Sequence, residues 1–268
     1  MQGIDNMIQQ IKSSLFNLKQ KKPLVLCLTN YVTMDFMANS LLALGAAPLM
    51  SESIDEIEEL VNISHALYIN IGTLNNLFME RALLAVQIAN SLNKPVILDP
   101  VGAGASKLRT SAALELLPFT NIVRGNPSEI ISLSGANGST KGVESTHPVK
   151  RAMTIGINLA KDLNKVIVIS GPEDFITDGE QSQVLRFGSD IMPLITGMGC
   201  TLTAVISAFS DNLNYFQSAT HATAYFGLCG QLAHQQTQEP GSFRQTFINN
   251  LYHPDWDFFS SAYNRLGV

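Results

Sequence analysis

The stretch "NNLFMERALLAVQIANSLNKPVILDPVG", Asn75 to Gly102, decides the fold. Its first part repeats apolar side chains at helical spacing, up to Asn93. "PVIL", Pro95 to Leu98, is then apolar at successive positions, and so on both faces of an extended strand. A strand buried on both faces belongs in a parallel sheet with helices above and below it.

The chain on either side repeats this alternation. Upstream, "PLVLCLTN" precedes the helical "MDFMANSLLALG", "APLMS" precedes "IDEIEELVNIS", and "ALYINIG" precedes the opening stretch. Downstream come "LRTSAALELL", then "NIVRGN" with "PSEIISLSG", then "HPVKRAMTIGINLAKDLN" with "KVIVISG". "DFITDG" and "SQVLRFGSD" read as antiparallel edge strands turning at Asp178-Gly179. From Cys200 onward the pattern is helical, in "TLTAVISAFSDN", "YFQSATHATAYFGLCGQLAHQQ" and a final helix around "FRQTFINNLYH". The reading is one α/β domain over residues 1–268, with a predominantly parallel sheet, helices on both faces and a few antiparallel edge strands. Ser134 to His147, "SGANGSTKGVESTH", reads as a mobile surface loop near a ligand.

Composition narrows the function classes. With 46% hydrophobic and 15% charged residues in 268, the chain has enough apolar surface to bury a large core and a subunit face. A net charge of -5 and no basic run beyond Lys19–Lys22 argue against nucleic acid as a partner. No apolar stretch approaches the roughly 20 residues of a membrane span, and the N-terminus reads as an amphipathic helix without a signal peptide's apolar region. Cys27, Cys200 and Cys229 are odd in number and share no short spacing, which points to a reducing cytoplasm rather than a disulfide framework. The five histidines show no metal-ligand spacing.

Three polar clusters fall at predicted strand ends, where open α/β sheets collect ligands. In "LDPVGAG", Asp99 offers a carboxylate for a water-bearing Mg²⁺, or an Asp-Pro turn. In "RGNPSE", Arg124 suits a phosphate, while Asn126 and Glu129 suit either a metal or a capping box with Pro127 at the first helical position. In "TGMGC", Gly197, Met198, Gly199 and Cys200 open a helix whose unpaired N–H groups suit an anion, or else glycines and a buried thiol serve only helix packing. A helix N-terminus there lowers a thiol's pKa.

Taken together, "LTNYVTMDFMANSLLALGAAPLMSES", "INIGTLN", "PVILDPVGAGAS", "RGNPSEI" and "TGMGCTLTAVISAF" closely resemble the hydroxyethylthiazole kinase branch of the ribokinase-like family, over about Lys22 to Asp211. The resemblance implies transfer of the γ-phosphate of ATP, with Mg²⁺, to the hydroxyl of 4-methyl-5-(2-hydroxyethyl)thiazole in thiamine biosynthesis or salvage. It implies a homotrimer with thiazole sites between subunits. Met50, Asn30 and Gly197 would then contact the thiazole, and Arg124 and Ser170 would bind ATP. Asp99, Asn126 and Glu129 would serve the metal, and Cys200 stands where most relatives of the wider family place a catalytic Asp. Met198 replaces a usual Thr or Ala, Pro127 a usual Ala, and Ser170 a usual Thr. A hydroxymethylpyrimidine or sugar kinase, a nucleotide-dependent dehydratase of the same fold, and a non-enzymatic nucleotide-binding regulator are the rival readings. The first two should carry Asp at the position of Cys200, and the last has no need of the Gly-Met-Gly-Cys turn.

Overall fold

A computed structural model describes residues 4–135, 148–210 and 214–265. The predicted loop 134–147 therefore lies almost wholly outside the described residues. Helix α1 (Ile4–Lys21) leads into β1 (Leu24–Leu28), α2 (Met34–Leu44), β2 (Ala47–Leu49), α3 (Ile57–Ile63) and β3 (Ala66–Asn70). The opening stretch forms α4 (Asn76–Ser91) and β4 (Val96–Asp99), followed by α5 (Lys107–Leu116), β5 (Ile122–Gly125) and α6 (Pro127–Leu133). Then come α7 (Pro148–Leu163), β6 (Val166–Ile169), β7 (Asp174–Thr177) and β8 (Ser182–Leu185). The chain closes with α8 (Met198–Phe209), α9 (Tyr215–Gln236), α10 (Pro240–Tyr252) and α11 (Trp256–Arg265).

All eight strands join one sheet in the order β2-β1-β3-β4-β5-β6-β7-β8. Pairs from β2 through β6 are parallel. The β6–β7 and β7–β8 pairs are antiparallel, as the turn at Asp178-Gly179 predicts. Because β2 to β6 run the same way, the segments that follow them emerge along one edge.

The strands' period of two separates two cores. Val25, Cys27, Tyr68, Ile97, Ile122 and Val168 pack with α8, α9 and their neighbours, whereas Leu26, Ile69, Leu98, Val123 and Ile167 pack with α4 to α7. Each such fully buried aliphatic side chain contributes roughly 1.5–3 kcal/mol. The same period fixes where the polar groups point. Asn70 follows Tyr68 by two, Asp99 follows Ile97 by two and Arg124 follows Ile122 by two, so all three face the α8 layer.

Helix α8 is buried on nearly every side, from Thr201 to Phe209. Its axis lies across β1, β3 and β4, and its N-terminus reaches the edge where the parallel strands end. The sequence reading stops at about His253; the amphipathic α11 beyond it packs Phe259 and Tyr263 onto the α9 side. No helix among the described residues is long and apolar enough to cross a membrane.

Candidate active site

The site gathers on the first turn of α8. Gly197 caps that helix with φ of +94°, a left-handed conformation that glycine adopts without a side-chain penalty. The Thr201 N–H returns to the Gly197 carbonyl at 2.8 Å and starts the helical ladder. The N–H groups of Gly199 and Cys200 precede that bond and have no intrahelical acceptor, so they face outward with the positive end of the helix dipole.

Gly197 and Gly199 divide this turn. A Cβ on Gly197 would stand 2.9 Å from Thr33 Cγ2, and one on Gly199 would stand 2.5 Å from Arg124 Nη1. On the Gly197 side lie Thr33, whose hydroxyl donates to Asn30 Oδ1 at 3.1 Å, and Asn30, whose Nδ2 reaches Cys200 Sγ at 3.4 Å. On the Gly199 side Arg124 donates through Nη2 to Ser170 Oγ and lies 3.7 Å from Asp99 Oδ2 through Nη1. Asn30, Gly197, Cys200, Arg124, Ser170 and Asp99 are thus brought together. Met50 follows the edge strand β2 and is partly buried against the α8-side core, at the far end of this row.

Asp99 is fully buried. Its Oδ2 accepts from Thr203 Oγ1 at 2.8 Å, one turn below Cys200 on α8, while Oδ1 is buried without a hydrogen-bond partner. Burial pushes its pKa up to about 6, with the Arg124 guanidinium pulling the other way. Next to it, Asn126 and Glu129 form the full capping box: the Glu129 N–H meets Asn126 Oδ1 at 3.0 Å and the Asn126 N–H meets Glu129 Oε2 at 2.8 Å. Glu129 Oε1 also accepts the Gly102 N–H at 2.9 Å. Both carboxylate oxygens therefore serve the backbone, each with a lone pair to spare.

This donor set fits a hydrated cation. The orphaned Asp99 Oδ1 and the spare Glu129 lone pairs suit Mg²⁺, which keeps much of its water. Asn126, with its oxygen turned to the cap, holds Glu129 in place. Among the described residues no cluster of three or more His, Cys, Asp or Glu is placed to hold a metal by itself.

The thiol departs from the sequence expectation. Burial first, and then the Asp99 carboxylate, push the Cys200 pKa up, against the hydrogen bonds of neighbouring side chains. A helix N-terminus alone would lower it, but desolvation of a thiolate and a nearby negative charge prevail. Cys200 is a neutral thiol at pH 7. Cys27 and Cys229 lie deep in the core and are unreactive neighbours.

Several residues escaped the sequence reading. Tyr68 donates its hydroxyl proton to the Cys200 carbonyl at 3.0 Å, and Asn70 donates to the Tyr68 oxygen at 2.9 Å. Arg109 staples the loops after β3 and β4 by reaching the carbonyls of Ile71, Val101 and Gly72. Asp174, at the start of β7, accepts the Gly171 N–H at 3.2 Å and so closes the turn that presents Ser170. Burial pushes its pKa up to about 7, offset by that N–H and by Arg124. The only sequence signal for the first pair was a Tyr and an Asn two apart in an otherwise apolar strand.

Comparison with known proteins decides the family. The sequence profile of the Hydroxyethylthiazole kinase family matches residues 15–255. This chain belongs to the hydroxyethylthiazole kinase family. A hydroxyethylthiazole kinase of Chlamydia felis (strain Fe/C-56) is 43% identical over 262 residues, 97% of this chain and 100% of that relative. The structure of the hydroxyethylthiazole kinase protein from Pyrococcus horikoshii OT3 superposes with a TM-score of 0.86 at 34% identity, covering 92% of this chain and 94% of that one. A ribokinase-like superfamily protein from Enterococcus faecalis V583 shares the fold at a TM-score of 0.62 and 13% identity, over 87% of this chain and 88% of its own. The chain is thus a kinase of the hydroxyethylthiazole kinase family with a ribokinase-like fold, carrying the mostly parallel sheet and antiparallel edge that the sequence predicts.

Proposed function

We propose that this kinase transfers the γ-phosphate of ATP to the hydroxyl of 4-methyl-5-(2-hydroxyethyl)thiazole, in thiamine biosynthesis or salvage. The observation that carries the assignment of roles is the division of the α8 turn. Arg124 and Ser170 stand on the Gly199 side and receive the nucleotide phosphates. Asn30 and Thr33 stand on the Gly197 side and receive the alcohol, with Met50 further along that edge.

Phosphoryl transfer passes through a loose transition state, so positioning and charge stabilisation dominate. The acceptor oxygen bonds to the γ-phosphorus as the bond from that phosphorus to the departing ADP oxygen breaks, and the alcohol proton passes late to an oxygen of the transferred phosphoryl group. The outward N–H groups of Gly199 and Cys200 stabilise the moving phosphoryl group as an anion hole. Arg124 neutralises charge on the same side. Cys200, a neutral thiol, orients the alcohol and forms no covalent intermediate. Mg²⁺ would be held in its water shell by Asp99 and Glu129, supplying charge neutralisation to the phosphates.

We further read the chain as a cytoplasmic homotrimer with thiazole sites shared between subunits. Supporting this are Tyr31, Val32 and Leu194, large apolar side chains that stand 55%, 69% and 68% exposed. The first two directly follow Asn30, and the third precedes the Gly197 turn. The apolar 39–50 stretch itself supplies less than its composition implied, because Ser40, Leu41 and Leu44 are spent on the subunit's own core.

The direct test is ADP release by the purified protein with the thiazole alcohol, hydroxymethylpyrimidine or a sugar as acceptor, each with ATP and Mg²⁺. Turnover confined to the thiazole alcohol supports the reading; a preference for either of the others overturns it.

A further inference from the structure

We propose that Asn70 is a positioning residue for the transfer, because it fixes which atom of the Asn30 amide faces Cys200 and so makes Cys200 Sγ a hydrogen-bond acceptor. This rests on the reading of Cys200 as the group that orients the alcohol.

The polarity starts at the Gly72 N–H, a group that only donates. It lies 2.9 Å from Asn70 Oδ1, so that atom of the amide is the oxygen. Asn70 Nδ2 is then the donor to the Tyr68 hydroxyl at 2.9 Å, and Tyr68 passes its own proton to the Cys200 carbonyl at 3.0 Å. The second lone pair of Asn70 Oδ1 takes Asn30 Nδ2 at 2.9 Å. Asn30 must therefore turn its nitrogen inward, and its oxygen accepts the Thr33 hydroxyl at 3.1 Å. Its other N–H is left facing Cys200 Sγ at 3.4 Å.

No member of this chain can reverse without two donors, or two acceptors, meeting. Asn70 is completely buried and Asn30 nearly so, which makes such a mismatch costly. A sulfur that accepts from Asn30 turns its S–H away, toward the space in front of the α8 turn. There the S–H meets the acceptor oxygen and leaves a lone pair of that oxygen free to face phosphorus. The charged group facing the sulfur is Asp99, and the amides of Asn30 and Asn70 and the Thr33 hydroxyl oppose its effect on the thiol. Asn70 thus acts on the alcohol through Asn30 and Cys200, its amide also lies close enough to the Asp99 carboxylate to support its charge, and Tyr68 holds the peptide from which the thiol hangs.

The test is Asn70→Leu, alone and combined with Cys200→Ala, with Tyr68→Phe as the milder variant. Two readouts are taken: steady-state kcat and ATP KM, and the pH dependence of iodoacetamide alkylation at Cys200 followed by mass spectrometry. Asn70→Leu is expected to lower kcat about tenfold with ATP KM within about twofold, as for a lost hydrogen bond felt in the transition state. It should move the alkylation midpoint upward, and should cost clearly less in the Cys200→Ala background than it costs alone. Tyr68→Phe should lower kcat a few-fold with the same lack of additivity, and it carries the test if Asn70→Leu does not fold. Equal losses with and without the thiol, or an unmoved alkylation midpoint in folded Asn70→Leu, overturn the proposal. If Cys200→Ala keeps full kcat, the reading of the thiol fails instead, and a shifted midpoint would still show that Asn70 sets its polarity.

Discussion

The guanidinium of Arg124 occupies the space that any side chain on Gly199 would need, since a Cβ there would come within 2.5 Å of Nη1 and 2.8 Å of Nη2. Two residues earlier, Gly197 has the same relation to Thr33, at 2.9 Å, with a positive φ in addition. Gly199→Ala should therefore push Arg124 aside and raise the ATP KM, as Arg124→Ala should. Gly197→Ala should instead raise the KM for the alcohol and cost about 1–2 kcal/mol of stability from its left-handed backbone. Steady-state kinetics with each substrate varied in turn checks the split. Equal effects of both variants on both KM values would refute the division of the turn.

Cys200→Ala should remain measurably active, with kcat reduced by no more than roughly 10²–10⁴-fold, the range of general acid–base assistance. Cys200→Asp should also turn over, because a carboxylate suits a helix N-terminus, although repulsion from Asp99 and the γ-phosphate offsets part of that benefit. Mass spectrometry of quenched enzyme should find no phosphocysteine. A trapped phosphoenzyme, or a folded but inert Asp variant, would restore a covalent role.

Asp99 should cost the metal-free protein stability at neutral pH. Its folded-state pKa is raised to about 6 from 3.8, so the folded state holds a proton more firmly than the unfolded one. Stability is then lost as pH rises from about 4 through 6 and stays lost above. Asp99→Asn, measured in EDTA, should raise Tm at pH 8, by an equivalent of the order of 1–3 kcal/mol, and should lose that advantage near pH 4. The same variant should lose Mg²⁺-dependent turnover. A Tm difference independent of pH would show that the carboxyl does not titrate in this range.

Glu129→Gln should weaken both the cap and the metal response. A glutamine keeps one acceptor oxygen where the carboxylate offers two, so either the Asn126 or the Gly102 N–H loses its partner. The expected costs are about 1 kcal/mol in stability and a rightward shift in the Mg²⁺ dependence of the initial rate. Removal of Mg²⁺ by excess EDTA should abolish turnover of the unaltered enzyme. Full turnover in EDTA would remove the metal from the proposal.

The layering was legible because an unbroken apolar run in a strand, as in "PVIL" and its counterparts, has one physical solution, a sheet covered on both faces. The Asn126–Glu129 cap was legible because it is local, four consecutive residues meeting their own backbone. Tyr68 and Asn70 were not. Their partners lie 132 and 40 residues away, and a strand with an aromatic and an amide gives no sign of what packs over it. Arg109 was hidden for the same reason: its carbonyl partners gather only when β3 and β4 pair. The direction of the Cys200 shift was misjudged because the dipole is visible in sequence, whereas burial and the approach of Asp99 belong to the folded state.

The division of the α8 turn also bears on how such a kinase changes over evolutionary time. Asn30 and Thr33 come from the segment after β1, while Arg124, Ser170, Asp99 and Glu129 come from β4 through the turn after β6. On the proposed roles, recognition of the alcohol and recognition of the nucleotide are encoded in separate stretches of the chain that meet at a four-residue turn. A lineage could retune its acceptor through changes near residues 28–50 while inheriting its phosphate grip unaltered, and a chimera exchanging only that early segment is the smallest unit in which a new acceptor preference should travel.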